Sequence, residues 1–590
     1  MSRKHSSIGL SILVLAGIII GTAFWIKVFY TSIQNYRSPL QEADLLPQTA
    51  PPAQTTSVVM VLISGLGYDD SLALNLPVLE QLKQAGATAA IQSTPPTYSQ
   101  TAWGTIITGA PPETNDAPPA DLLLEELRPL EIDTIFTRAH DADLTKAIFG
   151  TAEWGHLVSS NQLNHTFFAN DTGPIADRAI FEAALPIIET NNTNLVLLHF
   201  TQVDFAARHQ GGTSSEAYRQ AALAVDNYLG QLTTAMDLSH SVLVVLSDHG
   251  HIAKGGHGGN EVEVIWQPLV MIGQNIIPGN YSDIDQTDIA PTISTLLGLP
   301  SPTATQGRIL FEMLQLTEKE QTIAQLSLAQ QRVTLAEAYL TRVQGAEVSS
   351  PDQLMIDLTQ AQTALTNNNV SGAFQLATFA QEEADTQIAL ARHNRLKTEQ
   401  TFRLVVAVLI MLVWFITIWR RRGFHAGSIV IAAMLTVILY HTLYQIQGYN
   451  YTLSSIRSFE TLPIDIARRT AVSLLVGGGL VLILLMLTKE DNWLTLLGTG
   501  YGYGMLVTFI FSLPLFWAFW QNGFIITWHL PEVVPAFWQI TGLFEVLAAA
   551  ILALLLPWPI MMLNLFVSLI RHYLSDARSQ KPDALPGLHL

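Results

Sequence analysis

The chain is 590 residues long, 49% hydrophobic and 13% charged, with a mean hydropathy of +0.29. That charged share is about half the usual quarter, which excludes an ordinary soluble protein. The net charge of −18 excludes a nucleic-acid partner, since neutralising phosphates takes clustered Lys and Arg. Without cysteines there are no disulfides and no thiolate ligands, so any metal has to be held by His, carboxylates and hydroxyls.

In chain order, residues 8–26 carry no charge and follow Arg3 and Lys4. At 1.5 Å per residue the run crosses a bilayer core of ~30 Å. A cleavable signal peptide would have a shorter apolar region and a small-residue cleavage site, so residues 1–30 read as an uncleaved transmembrane anchor. Residues 31–56, rich in Pro, Gln, Thr and Ala towards their end, read as a linker. Residues 57–316 alternate strand-like and helix-like stretches. Val58-Val59-Met60-Val61-Leu62-Ile63, residues 194–200 and residues 241–246 are continuous apolar runs, as expected of strands buried on both faces, with helical spacing between them. The fold class expected is α/β with a largely parallel central sheet.

Residues 317–403 are rich in Gln, Ala, Leu and Glu and poor in Gly, and predict a helical stalk whose last helix runs unbroken towards the membrane. Residues 404–570 form a C-terminal membrane domain of about five helices. Residues 557–570 could be a half-helix or lie in the interface. Arg420-Arg421-Arg422, Lys489 and Arg571 follow apolar runs, which puts those loops, both termini and a tail of residues 571–590 in the cytoplasm and residues ~30–400 outside it. Glu545 falls within a span and is expected to be protonated or to face a partner helix.

The chemistry concentrates where an apolar strand ends in Ser247-Asp248-His249-Gly250-His251, followed by a glycine-rich loop around His257. An oxygen ligand and nitrogen ligands at a strand's carboxyl end suit a borderline-soft dication such as zinc, with manganese left open. Open α/β sheets place their sites at that edge.

Several blocks, in order, resemble the alkaline phosphatase superfamily and its type I phosphodiesterase/nucleotide pyrophosphatase branch. These are Ser64-Gly65-Leu66-Gly67-Tyr68-Asp69, Pro96-Thr97-Tyr98-Ser99-Gln100-Thr101 leading to Thr108-Gly109-Ala110, then Asp204, Asp248-His249, His257 and Thr287-Asp288-Ile289-Ala290-Pro291-Thr292. The resemblance implies an alkaline-phosphatase-like domain with two divalent metal ions. Asp204 and His257 would hold one, Asp248, His249 and Ser99 the other, and Ser99 would be the nucleophile. A serine becomes a competent nucleophile at neutral pH when a metal lowers its hydroxyl pKa.

Two positions depart from the family pattern. Ser64 stands where the family has its first-strand Asp, and Arg208 where it has a His, with His209 one residue later and able to reach the metal through a one-residue bulge. Arg stays protonated and cannot ligate. Asp69, Asp70 and His199 are candidates for compensation.

The first function expected is a membrane-anchored, metal-dependent phosphohydrolase of phosphodiesterase/phosphatase type, acting on a phosphate ester that could be lipid- or glycan-linked. The alternatives are a degenerate family member serving as an envelope scaffold, or a lipid-linked phospho-group transferase by analogy with ethanolamine-phosphate transferases, which pair a similar domain with membrane spans. A formylglycine-type sulfatase is excluded, because Ser99-Gln100-Thr101-Ala102-Trp103 lacks the Pro and Arg of that motif.

Overall fold

The computed structural model describes residues 2–41, 50–344, 352–419, 425–456 and 460–579. The arginine triplet Arg420-Arg421-Arg422 and residues 580–590 of the tail lie outside the described residues. Nine strands form one sheet: β1 (Ser57–Ile63), β2 (Ala87–Gln92), β3 (Lys146–Thr151), β4 (His165–Ala169), β5 (Leu195–Phe200), β6 (Ser241–Leu246), β7 (Trp266–Gly273), β8 (Gly279–Asn280) and β9 (Ile284–Asp285). Their order is β4-β3-β5-β1-β6-β7-β2-β8, with β9 also on β2. All pairings are parallel except those of β7, which runs antiparallel to β6 and β2.

Every residue of β1, β5 and β6 is buried. The period of two in a strand sorts their side chains between two cores: Val58, Met60 and Leu62 join one, Val59, Val61 and Ile63 the other. The first of these cores continues through Leu453 and Ile456 into the membrane bundle. The sheet edge that carries the chemistry therefore meets the helices that cross the bilayer.

Among the described residues six helices are long and apolar enough to cross a membrane. The first, Ser2–Gln34, runs past the apolar segment and docks on the α/β domain. The Tyr36 hydroxyl donates to the Glu113 carbonyl at 2.7 Å, and Arg37 pairs with Asp116 at 2.8 Å. Val370–Trp419 is one helix of 50 residues, carrying the stalk into the membrane without a break. Its buried Ala373, Ala377, Ala380 and Ala384 form a small-residue stripe at helical spacing, which lets the helix Glu318–Gln344 approach closely. Arg332 on that helix is fully buried. It donates from Nε to the Thr305 carbonyl at 3.1 Å and from Nη2 to the Gly307 carbonyl at 2.8 Å, and pairs with Asp385.

Glu545 is buried in the bundle and accepts a hydrogen bond from Tyr440 on a neighbouring helix at 2.7 Å. The final helix, Pro557–Ser579, lies against one end of the bundle. There Asn564 donates to the Glu490 carbonyl and Arg571 to that of Met486.

Replacing Arg332 by Ala leaves buried carbonyls without donors, so the unfolding free energy should fall by about 2–3 kcal/mol. Chemical denaturation followed by tryptophan fluorescence measures it, and an unchanged midpoint would show that the stalk is not fastened there.

Candidate functional site

Four strands deliver the site at their carboxyl ends. After β1 the chain turns at Gly65, whose φ is +82° and where a Cβ would lie 2.8 Å from the Asp204 Cα and 2.7 Å from His251 Nε2. Only glycine allows that approach. After β5 the buried Asp177 carboxylate accepts hydrogen bonds from Thr201 N (2.8 Å), Thr201 Oγ1 (3.0 Å) and Gln202 N (2.9 Å). It thereby satisfies donors at the start of the helix Gln202–His209, which carries Asp204 in its first turn. Following β2, Ser99 is the first residue of the helix Ser99–Thr108. Beyond β6 come Asp248 and His249, both fully buried.

These elements bring Asp204, His249 and His257 together, with one ligand atom of each within 4.8 Å of the others. The hydrogen bonds fix the imidazole tautomers. His249 Nδ1 lies 3.1 Å from the Gly250 carbonyl and His257 Nδ1 3.3 Å from that of Thr97. A carbonyl can only accept, so each Nδ1 carries the proton and each Nε2 presents a lone pair. That of His249 faces the Ser99 hydroxyl at 2.9 Å.

Burial, with the Arg208 guanidinium nearby, holds the His257 pKa well below the usual range. Burial pushes Asp204 up, but Arg208, His251 and His257 outweigh it and hold its carboxyl well below the usual carboxylate range. An ionised carboxylate and neutral imidazoles are the forms in which these groups ligate a dication, so the three residues fit one.

The remainder of the cluster is charge compensation by protein groups. Arg208 Nη1 sits 3.3 Å from His257 Nε2, 3.8 Å from Asp204 and 3.6 Å from Asp121. Buried His251 places Nε2 3.0 Å from the other Asp204 oxygen. The Asp248 carboxylate, next to the cluster, accepts from Ser64 Oγ (2.8 Å) and Trp103 Nε1 (2.8 Å) on one oxygen, and from Gly65 N (3.1 Å) and His249 N (2.9 Å) on the other. A carboxylate offers about four lone-pair sites, and all are taken. Ser64 adds no negative charge, so the Asp248 position does not fit a second dication as built.

His209 does not join the cluster. The helix Gln202–His209 is regular, without the bulge that would have brought His209 inward. Asp204 and Arg208 are one i,i+4 step apart and share a face, whereas His209 is rotated about 100° from it. Its ring is exposed and packs on Phe205 at 5.0 Å. Ser64 is a hydrogen-bond donor to Asp248 rather than an anionic ligand.

Asp69 and Asp70 line a separate pocket with Tyr68 and Trp266. Functional candidates that the family pattern passes over are His251, Asp121 and Trp103. His251 stands in the Asp-His-Gly-His motif itself, while Asp121 lies in a loop with no recognisable signature and only the fold carries it to His257.

With this geometry in place, the known proteins it resembles can be compared. A family model described as type I phosphodiesterase / nucleotide pyrophosphatase matches residues 139–257. Within the α/β domain the chain is therefore similar to that family, as its sequence motifs suggested.

Among similar proteins, the human GPI ethanolamine phosphate transferase 2, catalytic subunit, is 25% identical over 293 residues, covering 45% of this chain and 29% of the relative. GPI ethanolamine phosphate transferase 3 of Schizosaccharomyces pombe is 28% identical over 142 residues, 23% of this chain and 15% of the relative. The match thus spans less than a third of either relative. Among solved structures, human ectonucleotide pyrophosphatase / phosphodiesterase 5 superposes with a TM-score of 0.37 at 13% identity, covering 44% of this chain and 98% of that one.

One buried histidine of the domain makes stability depend on pH. Burial holds His199 neutral, with its pKa lowered to about 4, whereas an unfolded histidine titrates near ~6.5. Between those values the unfolded chain takes up a proton that the folded one refuses. This contribution is therefore complete above pH ~6.5 and is lost as pH falls towards about 4, by on the order of 3 kcal/mol. Unfolding midpoints measured across that range should fall less steeply for His199→Gln, and parallel curves for the two proteins would refute the assignment.

Proposed function

We propose that this protein is a membrane-embedded phospho-group transferase, moving a phosphate-linked group through Ser99 between a lipid- or glycan-linked donor and an acceptor hydroxyl. The observation that carries this reading is a cavity of about 630 Å³ with walls of two origins. Ser99, Asp204, Arg208 and His257 line it from the sheet rim, while Tyr30 and Ile33 of the N-terminal membrane helix and Ile456 and Glu460 of a membrane loop line it from the other side. A substrate with its phosphate at the rim and its apolar part in the bilayer fits such walls. The chain's similarity to proteins named GPI ethanolamine phosphate transferases also favours transfer over the plain hydrolysis that the sequence put first.

In this reading the Ser99 oxygen attacks the donor phosphorus, the bond to the leaving oxygen breaks, and that oxygen takes up the proton Ser99 gives up. The acceptor hydroxyl then attacks the Ser99 phosphodiester and restores the serine. Arg208 turns from His257 to pair with non-bridging oxygens, as guanidinium groups do with phosphates. A single dication, held by Asp204, His249 and His257, would lower the pKa of the adjacent serine hydroxyl and stabilise charge on the phosphoryl group. The His249 lone pair serves one partner at a time, the Ser99 proton or the dication. Lys489 and Arg571 mark the bundle end opposite the α/β domain, so the positive-inside rule puts the site on the extracytoplasmic side, with anchor, linker, stalk and bundle as the remaining parts.

A second reading, a superfamily member that binds without catalysis, is favoured by the saturated Asp248 and by Arg208 on the His257 lone pair. Label in the headgroup phosphate of a phospholipid should pass to a lipid or glycan acceptor with the wild-type protein. It should not pass with Ser99→Ala, whose rate is expected to drop at least ~10³-fold. Release of free phosphate compound alone would point back to hydrolysis, and no turnover to the binding reading. Elemental analysis of the full-length protein should find about one dication per chain, lost in His257→Ala. Two per chain, or none, would refute the single-ion arrangement.

A further inference from the structure

The reaction above leaves His199 and Thr151 without a role, although both line the cavity beside Ser99, Trp103 and Asp204. His199 is fully buried at the end of β5 and Thr151 nearly so at the end of β3. The His199 Nε2 and Thr151 Oγ1 atoms have no hydrogen-bond partner among the described residues. Native structures pair nearly all buried polar atoms with protein, ordered water or a ligand, and these two open into the cavity.

The neighbours of His199 define what Nε2 can do. Trp154 Nε1 lies 3.1 Å from His199 Nδ1. An indole N–H can only donate, so Nδ1 is the acceptor and a neutral ring must carry its proton on Nε2. Burial keeps the ring neutral. Trp103 and Trp154 stack at 4.9 Å, and Trp103 meets the His199 ring edge-on at 4.6 Å. The Trp103 indole is itself anchored on Asp248 at 2.8 Å. The ring is therefore held in tautomer by Trp154, which lies outside the cavity lining, and in plane by Trp103 at its edge. With Nδ1 occupied and Nε2 protonated, His199 is neither a metal ligand nor a general base. It is a fixed donor.

We propose that His199 Nε2–H, in the cavity that the Thr151 hydroxyl also lines, forms a subsite that hydrogen-bonds a non-bridging phosphoryl oxygen of the substrate. The proposal rests on the reading of this cavity as a phosphate-ester site, but not on turnover. A neutral donor suits a cavity that also holds the cationic Arg208, since it binds the oxygen without adding to the positive charge there.

The test is calorimetric binding of inorganic phosphate to the full-length protein in detergent. Glutamine can place an amide N–H near the position of Nε2, and leucine cannot. His199→Leu should weaken phosphate binding about tenfold, equivalent to about 1.4 kcal/mol. His199→Gln should stay within about threefold of wild type. Trp154→Phe, which frees Nδ1 and lets the ring change tautomer, should fall between them, and all three should keep the wild-type dication content. Leucine binding as tightly as wild type, glutamine failing as badly as leucine, dication loss in either, or no phosphate binding by the wild type would each overturn the assignment. Phosphate binding needs no acceptor, so a protein that showed the expected series yet transferred nothing would uphold this subsite while rejecting the transferase.

Discussion

Four donors converge on the buried carboxylate of Asp248, and the arrangement of the site depends on that convergence. A charge taken out of water is tolerable only when hydrogen bonds replace its hydration. Here they come from the Ser64 hydroxyl and Gly65 N at the end of β1, the His249 amide at the end of β6, and the indole of Trp103 on the Ser99 helix. Because the donors belong to separate parts of the chain, satisfying one anion locks two strand ends and the nucleophile helix in register. The same saturation leaves Asp248 no lone pair for an ion. Arg208 completes the pattern on the other side, its guanidinium beside Asp204, Asp121 and His257. At the Asp248 position fixed protein donors thus take the place of a second ion, while Asp204, His249 and His257 keep the geometry for one.

A second constraint ties this rim to the bilayer. The loop that carries His257 packs on the turn 453–455 of the membrane domain, where Gly259 N donates to Ser454 Oγ at 2.9 Å and that hydroxyl donates to Glu261 at 2.8 Å. Gly256 lies so close to the Ser454 carbonyl that a Cβ would collide with it. Outside the cavity lining, Glu113 receives Arg392 of the long stalk helix at 2.8 Å and Tyr339 at 3.1 Å, while its own carbonyl accepts from Tyr36. Anchor, stalk and α/β domain meet at one residue. The membrane helices consequently form part of the site wall as well as the tether.

Much of this was legible residue by residue. Runs such as Val58 to Ile63 announce strands buried on both faces, because no exposed strand or helix tolerates such continuity, and the Asp248-His249 and Gly-His-Gly blocks announce the rim. His209 shows where one-dimensional reading stops. One residue along a helix is about 100° of rotation, so a histidine adjacent in sequence to the expected position stays out of the cluster, on the cavity lining and packed on Phe205, while Arg208 reaches His257. Asp121 left no trace in the sequence, since a carboxylate in an irregular loop looks like any solvated acid until the fold seats it 3.7 Å from His257. The linker expected at residues 31–56 carried no signal that Tyr36, Arg37 and Ser38 would dock on residues 113–116.

The sequence by itself determined the membrane character, the largely parallel α/β architecture and the residues around which the chemistry gathers. Those properties follow from local composition and period, which each short segment states independently. Only the tertiary structure decided which lone pairs remain open, which tautomer each histidine holds, and that a membrane helix lines the cavity. These depend on partners tens to hundreds of residues apart, such as Asp248 with Ser64 or Ser454 with Glu261, and on distances of about 3 Å that no pattern along the chain encodes.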